Sequence, residues 1–341
     1  MKWYRWRYPE HKYDESASGK YVIQILRGLQ GDREIGRQWY LLLRTILVKF
    51  GCKQCPHELA LYYWKRGEDI LLINTSTDDF LCAFSRVEVF YELRYFVTKF
   101  VDVTTQEGPI LKYLNLRIVQ SQYGISFDQT EHIRDTILDP WLKNSKERVK
   151  GFHTPWPTDR AAEKEIAEVL PAGPQELKAL EREFGGSHAC INGKYMHITV
   201  WSRPDLGYAT TRNARYTPIP SRVTFNRTNR IKRYLYYHPH RPFMYPRMPL
   251  HGFHIIRNNY DTPHFAEIKI TNHFAVFPDA DHAGDQRTRR SLSSILVALV
   301  GVAVDYKMEQ QGCMSLSSTD AEIHSTFAGV KRAVYFFGQH G

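Results

Sequence analysis

Asp69-Ile70-Leu71-Leu72-Ile73-Asn74-Thr75-Ser76-Thr77-Asp78-Asp79-Phe80-Leu81-Cys82-Ala83-Phe84 is the stretch on which the reading of this chain turns. Two short apolar runs, 69–73 and 80–84, flank a polar segment of turn-forming residue types, so the spacing predicts a β-hairpin. Two consecutive carboxylates, Asp78 and Asp79, stand at its tip. Adjacent acids on a tight turn offer hard oxygen donors at one point in space, and such donors suit Mg²⁺. Taken alone, an Asp-Asp pair in a turn is more often merely solvated.

Upstream, Trp39, Leu42, Leu43, Ile46 and Leu47 recur at three- and four-residue spacing between Gln38 and Phe50, and Gly51 follows. This is the pattern of an amphipathic helix with a glycine stop. Further upstream, Tyr21 to Leu26 reads as a short buried strand behind a basic, aromatic N-terminus. Downstream, Tyr113–Val119 and Gly124–Phe127 predict a second hairpin, and Thr130–Leu142 a helix ending near Pro140. Residues 151–176 read as connecting sequence and 176–184 as a helix. Residues 241–265, rich in proline and histidine without apolar period, read as a linker. Beyond it, 274–277, 294–300 and 302–308 predict three strands, and 319–337 a helix. The order is that of a mixed α+β chain.

The 341 residues are enough for two domains, and 43% hydrophobic with 24% charged residues is the profile of a chain that builds a core. Lys plus Arg number 46 against 36 Asp plus Glu, a net charge of +10 that attracts polyanions, nucleic acid foremost. The longest apolar run, Ile295 to Val304, is too short to span a bilayer, and the N-terminus lacks a signal-peptide pattern. Five scattered cysteines do not make a disulfide framework. The expectation is an intracellular protein, cytoplasmic or nuclear, not secreted and without a membrane partner.

Laid end to end, the segments resemble one family in one order. Leu26-Arg27-Gly28-Leu29 with Gly36-Arg37-Gln38-Trp39-Tyr40 resembles LYGLKQAxRxWY, with Arg27 where that signature has Tyr. Gly51-Cys52-Lys53-Gln54-Cys55-Pro56-His57 with Leu61-Tyr62-Tyr63 resembles GFKQSxxDPxLYY, and Ser76-Thr77-Asp78-Asp79 stands where YVDD is expected. Tyr113 to Ile118 is similar to FLGIxI, Ile191 to Ile198 to VGSLLYLA, Ser202 to Ala209 to TRPDIxYAV, and Ile231 to Leu235 to KRxLRYL. Asp279 to Asp285, Arg289 to Ser293 and Leu316 to Glu322 are similar to DADWAGD, RRSTSG and LSSTEAEY. These are signatures of the Pol polyprotein of copia-type LTR retrotransposons, covering reverse transcriptase and the start of the ribonuclease H domain.

The resemblance implies a partial reverse transcriptase palm and thumb region followed by a truncated RNase H-like α/β layer. Its domains would be 1–240 for palm, thumb and connection, 241–265 for the linker and 266–341 for the RNase H-like part. It implies an RNA-directed DNA polymerase and a ribonuclease H, both using Mg²⁺ or Mn²⁺ held by carboxylates. The implied catalytic and metal-binding residues are Asp78 and Asp79 in the first, and Asp279 and Glu322 in the second. Implied partners are an RNA template, a DNA primer, an RNA–DNA hybrid and other Pol segments. The family also uses an Asp on an earlier strand, where this chain has only Asp14 in loop-like sequence, and an RNase H Asp beyond residue 341. The expectation is therefore a chain that is catalytically incomplete by itself.

Arg37, Trp39, Lys232 and Arg233 are candidate nucleic-acid contacts, since basic residues among aromatics can hold phosphates and stack bases. For 230–237 the alternative is a helix that buries Tyr234 and Leu235 and leaves its Lys and Arg in solvent. Cys52, Cys55 and His57 carry zinc-ligand chemistry, but no second CxxC completes a tetrahedral site. The competing readings are a non-catalytic nucleic-acid-binding protein and a decayed retroelement remnant.

Overall fold

The stretch 69–84 forms the hairpin, with a tighter turn than the sequence pattern predicts. The computed structural model describes residues 33–144, 150–247, 253–254, 269–270, 274–299 and 302–338. The strand expected at 21–26, the Leu26–Leu29 motif, Asp14 and much of 241–265 lie outside the described residues. The chain falls into two compact units, Met1–Val103 and Thr104–Gly341, so the linker expected at 241–265 lies inside the second.

In the first unit, helix α1 (Arg33–Phe50) is followed by strands β1 (Lys53–Gln54), β2 (Leu61–Arg66), β3 (Asp69–Ser76) and β4 (Asp79–Phe84), then helix α2 (Val87–Val97). The four strands form one antiparallel sheet in chain order. Gly51, at φ +104°, lets the chain reverse after α1, a conformation that L side chains rarely adopt. Alternation sends Tyr62, Leu71 and Ile73 to one face, where they pack with Ile46 and Leu47 of α1 and Val89, Leu93 and Val97 of α2. Both helices therefore cover the same side of the sheet.

The second unit opens with β5 (Ile110–Tyr113), β6 (Leu116–Ser121) and β7 (Gly124–Asp128). The run expected as one strand from 113 to 119 is broken by a two-residue turn, Leu114 and Asn115, with φ of +49° and +65°. Both signs are those of the primed turns whose twist matches paired strands. Asn115 stands where the FLGIxI pattern has glycine, and the backbone conformation supplies the reason. A fourth strand, β8 (Phe243–Pro246), pairs with β7, so part of the expected linker is sheet.

The helix expected at 130–142 is one continuous helical stretch, α3 (Thr130–Ile133), a π segment Arg134–Leu138 and α4 (Asp139–Asn144). It is followed by α5 (Arg160–Ala167), α6 (Pro174–Phe184), α7 (His188–Trp201), a 3₁₀ turn at Pro204–Leu206, α8 (Gly207–Ala214) and α9 (Arg222–Tyr237). Ser187 and Ser221 cap α7 and α9 through side-chain acceptors for the amides of Cys190 and Thr224. Ile166, Leu180, Ile198, Leu206, Phe225, Ile231 and Leu235 form the core of this bundle.

Beyond a short pair of strands, β9 (Phe253–His254) and β10 (Lys269–Ile270), come β11 (Phe274–Asp281), β12 (Leu292–Leu299) and β13 (Val302–Gln310), an antiparallel meander, and α10 (Ser318–Gly338). Pro278 is accommodated because β11 is an edge strand in this sheet. The sheet is covered on both faces. On one, Gly329 of α10 lies so close to β11 that a Cβ there would stand 3.2 Å from Val276 Cγ1. On the other, the Tyr306 hydroxyl donates to Thr199 O of α7, and Met308 presses on Gly207 of α8.

Candidate nucleic-acid interface and acidic centres

In the first unit, one bond ties helix α1 to the acidic turn, and a second cluster gathers around Gln54. Trp39 Nε1 of α1 donates to Thr77 O at 2.7 Å, tying the helix to the loop between β3 and β4. Gln54 Nε2 donates to Tyr40 Oη at 2.8 Å, to Tyr62 Oη at 3.1 Å and to Leu59 O at 2.7 Å, and Gln54 Oε1 accepts from Arg44 Nε at 2.9 Å. The turn has only two residues outside the ladder, Thr77 at φ +51° and Asp78, because Asp79 already pairs with Ser76. Asp78 and Asp79 are both exposed.

Pleat alternation places Asp79 with Leu81 and Ala83 on the sheet face opposite α1 and α2. That face also presents Tyr63 and Leu72, 41% and 44% exposed, in register with Ala83. Within its own unit the face is open, with a carboxylate at its end. Arg37 is exposed on α1, one half-turn before Trp39. Cys52 and Cys55 are buried, and burial, with Cys82 beside it, pushes the Cys52 thiol up to about 12, the reverse of what a zinc thiolate needs.

The second acidic centre lies on β11 and α10. Val276 and Pro278 face α10, so Asp279 stands on the other face of the sheet, in register with Ser294. Ser325 Oγ nevertheless donates to Asp279 O at 2.7 Å, which brings the first turns of α10 against the end of the strand. Glu322 is exposed on α10, one turn before Ser325. Asp320 accepts from the Leu316 amide and Ser317 Oγ from the Asp320 amide, so the helix start is capped by its own loop. Among the described residues, no group of three or more His, Cys, Asp and Glu side chains is placed to hold a metal ion.

Helix α9 buries Tyr234 and Leu235 as the amphipathic reading expects, but it also buries Lys232. Lys232 is 8% exposed with Nζ 5.5 Å from the Trp141 ring centroid, and burial, then Lys194, lowers its ammonium to about 8. A phosphate could reach it only if its surroundings opened. Arg233 is half-buried over Phe152, 5.5 Å from the ring centroid, beside Arg230 at 4.3 Å.

No family model matches the chain, and no solved structure does. Among curated proteins, the Pol polyprotein of transposon RE2 of Arabidopsis thaliana is 23% identical over 305 residues, 89% of this chain and 18% of that protein. The Pol polyprotein of transposon TNT 1-94 of Nicotiana tabacum is 23% identical over 336 residues, 96% of this chain and 23% of that protein. The chain is related to copia-type retrotransposon Pol polyproteins. A putative transposon Ty5-1 protein of Saccharomyces cerevisiae is 22% identical over 220 residues, 63% of this chain and 65% of that protein. The chain spans only about a fifth of the first two Pol polyproteins.

Several residues that organise the second unit have roles that the sequence motifs do not state. Arg203, almost wholly buried, donates from Nε and Nη2 to Asp205 at 2.9 and 2.8 Å and from Nη1 to His238 O at 2.9 Å. Tyr234 Oη donates to the same carboxylate at 2.8 Å. The Ser202–Ala209 phrase is thus a brace between the start of α8 and the end of α9. Arg212 and Arg215 carry no signature at all, yet Arg215 pairs with Asp285, the last residue of the DADWAGD-like motif, at 3.4 Å. Only a spacing that links residues 70 positions apart would have found that pair.

Proposed function

We propose that this chain is the reverse transcriptase to RNase H portion of a retroelement Pol protein, that it binds template–primer nucleic acid, and that by itself it carries out neither polymerisation nor RNA cleavage. The observation that carries the reading is the set of bonds behind Asp78 and Asp79. Trp39, Tyr40, Gln54, Tyr62 and Thr77 come from three separate motifs of the family resemblance; Trp39 bonds to Thr77 of the acid-bearing turn, and its helix neighbour Tyr40 is joined through Gln54 to Tyr62 of the same sheet. Carboxylate oxygens at that turn have the right chemistry for Mg²⁺ or Mn²⁺. A two-metal centre, however, needs carboxylates from several elements converging on one point. The described residues offer Asp78 and Asp79 together at one turn, and Asp279 on the face of β11 opposite to the one that α10, with Glu322, covers. They do not compose a complete site, and no catalytic step is assigned to them.

Primer extension on an RNA template and cleavage of an RNA–DNA hybrid, each with Mg²⁺ and with Mn²⁺, test the proposal beside a binding titration. The expected outcome is salt-sensitive binding of the duplex without extension or cleavage. Extension abolished by Asp78→Ala, or cleavage abolished by Asp279→Asn, would overturn the claim of incompleteness. Absence of binding at low salt would overturn the nucleic-acid reading itself.

A further inference from the structure

Arg212, in the last turn of α8, and Arg215, directly after it, point toward Asp281 and Asp285 of the segment 281–290. Arg212 is 1% exposed and the Arg215 side chain 8%. Each guanidinium has one carboxylate partner, Glu163 for Arg212 and Asp285 for Arg215. Four donor nitrogens remain buried with no hydrogen-bond partner: Nε and Nη1 of Arg212, Nε and Nη2 of Arg215.

The Asp285 carboxylate and one oxygen of Asp281 are already engaged. Asp285 takes the Thr288 hydroxyl and the amides of Arg287 and Thr288 as well as Arg215. Asp281 takes the Leu292 amide, and burial holds its carboxyl above the ordinary value despite the two guanidiniums close by. Burial and the neighbouring Arg212 together lower Arg215 against the pull of Asp285 and Asp281, whereas for Arg212 burial is outweighed by Tyr208 and Glu163, which raise it. Buried polar groups are almost always paired. A water brings two donors with its two lone pairs and so passes a donor surplus on, whereas an oxyanion brings acceptors alone. Arg is also the residue whose fork matches tetrahedral oxyanions.

We infer that Arg212 and Arg215 form a binding site for a phosphate oxyanion between α8 and the Asp281–Arg290 segment. The shared chemistry is a phosphate group, either free or belonging to a nucleic-acid strand. The inference does not depend on polymerase or nuclease activity.

The full chain is titrated with inorganic phosphate, and with chloride at matched ionic strength, by isothermal calorimetry and thermal unfolding. Saturable one-to-one binding and a rise in Tm are expected with phosphate and not with chloride. Arg215→Gln should weaken phosphate binding at least tenfold. Asp281→Asn, which keeps an acceptor for the Leu292 amide and removes the competing negative charge, should tighten it at least threefold. If Arg215→Gln fails to fold, Asp281→Asn carries the test alone. In a second arm a short oligonucleotide competes: displacement of phosphate assigns the oxyanion to a nucleic-acid backbone, and no displacement assigns it to free phosphate. Equal responses to phosphate and chloride overturn the inference, as does an affinity that neither variant changes.

Discussion

Trp39→Phe keeps an aromatic ring against the β3–β4 turn and deletes the N–H that reaches Thr77 O. The expected loss is about 1 kcal/mol, the usual net worth of one such bond, read from urea unfolding. Arg203→Ala should be far more costly, about 3–5 kcal/mol, because it strands the Asp205 carboxylate and the end of α9 together. Arg203→Lys should not restore the loss, since an ammonium cannot reproduce the two-point contact. Lys232 makes a pH prediction. Its folded value near 8 lies below the ordinary 10.5, so between those limits the unfolded chain binds the extra proton and stability rises with pH. Lys232→Met should flatten that rise and stabilise the chain at pH 7, seen by comparing unfolding at pH 7, 8.5 and 10. The acids Asp78, Asp79, Asp279 and Glu322 were proposed from the sequence because each stands beside a local signature. The burial of Lys232 was not, because a helical period says which face is apolar but not how far a neighbouring Trp141 will reach across a long aliphatic stem.

At the level of elements, strong local patterns carried over to the structure and turns did not. The α1 helix, the acidic hairpin and the final sheet with α10 follow from periods of 3.6 and 2 in the sequence. The break at Leu114-Asn115 was hidden because Leu at φ +49° contradicts the residue preference that would announce a turn. Thr77 is a similar case, a β-branched residue at φ +51° in a two-residue turn. Thr77→Gly should relieve that conformation and stabilise the first unit by roughly 0.5–1 kcal/mol, measured by chemical unfolding. A loss of stability would mean that the Thr77 side chain contributes more than its backbone costs. Strand β8 was read as linker because Pro242 precedes it, Pro246 ends it and Pro249 follows. Its short ladder with β7 is decided by the partner strand, which no local window contains.

For the whole molecule, a net charge of +10 predicts binding to duplex nucleic acid whose logarithmic affinity falls linearly with the logarithm of salt concentration. Replacing Arg37 or Arg233 by Gln should each lower the magnitude of that slope by about one if the residue neutralises a phosphate. An unchanged slope in both variants would place the contacts elsewhere. The described helices include none long and apolar enough to cross a membrane, in keeping with the short apolar runs of the sequence. What the chain determines by itself is its strongly periodic elements and the family relationship, because periodicity and motif order are local or linear properties. Which acids share a face, and how Arg203, Arg212 and Arg215 are spent, only the tertiary structure decides. The reason is that a carboxylate's direction depends on strand register, and a buried cation's partners come from segments tens of residues away.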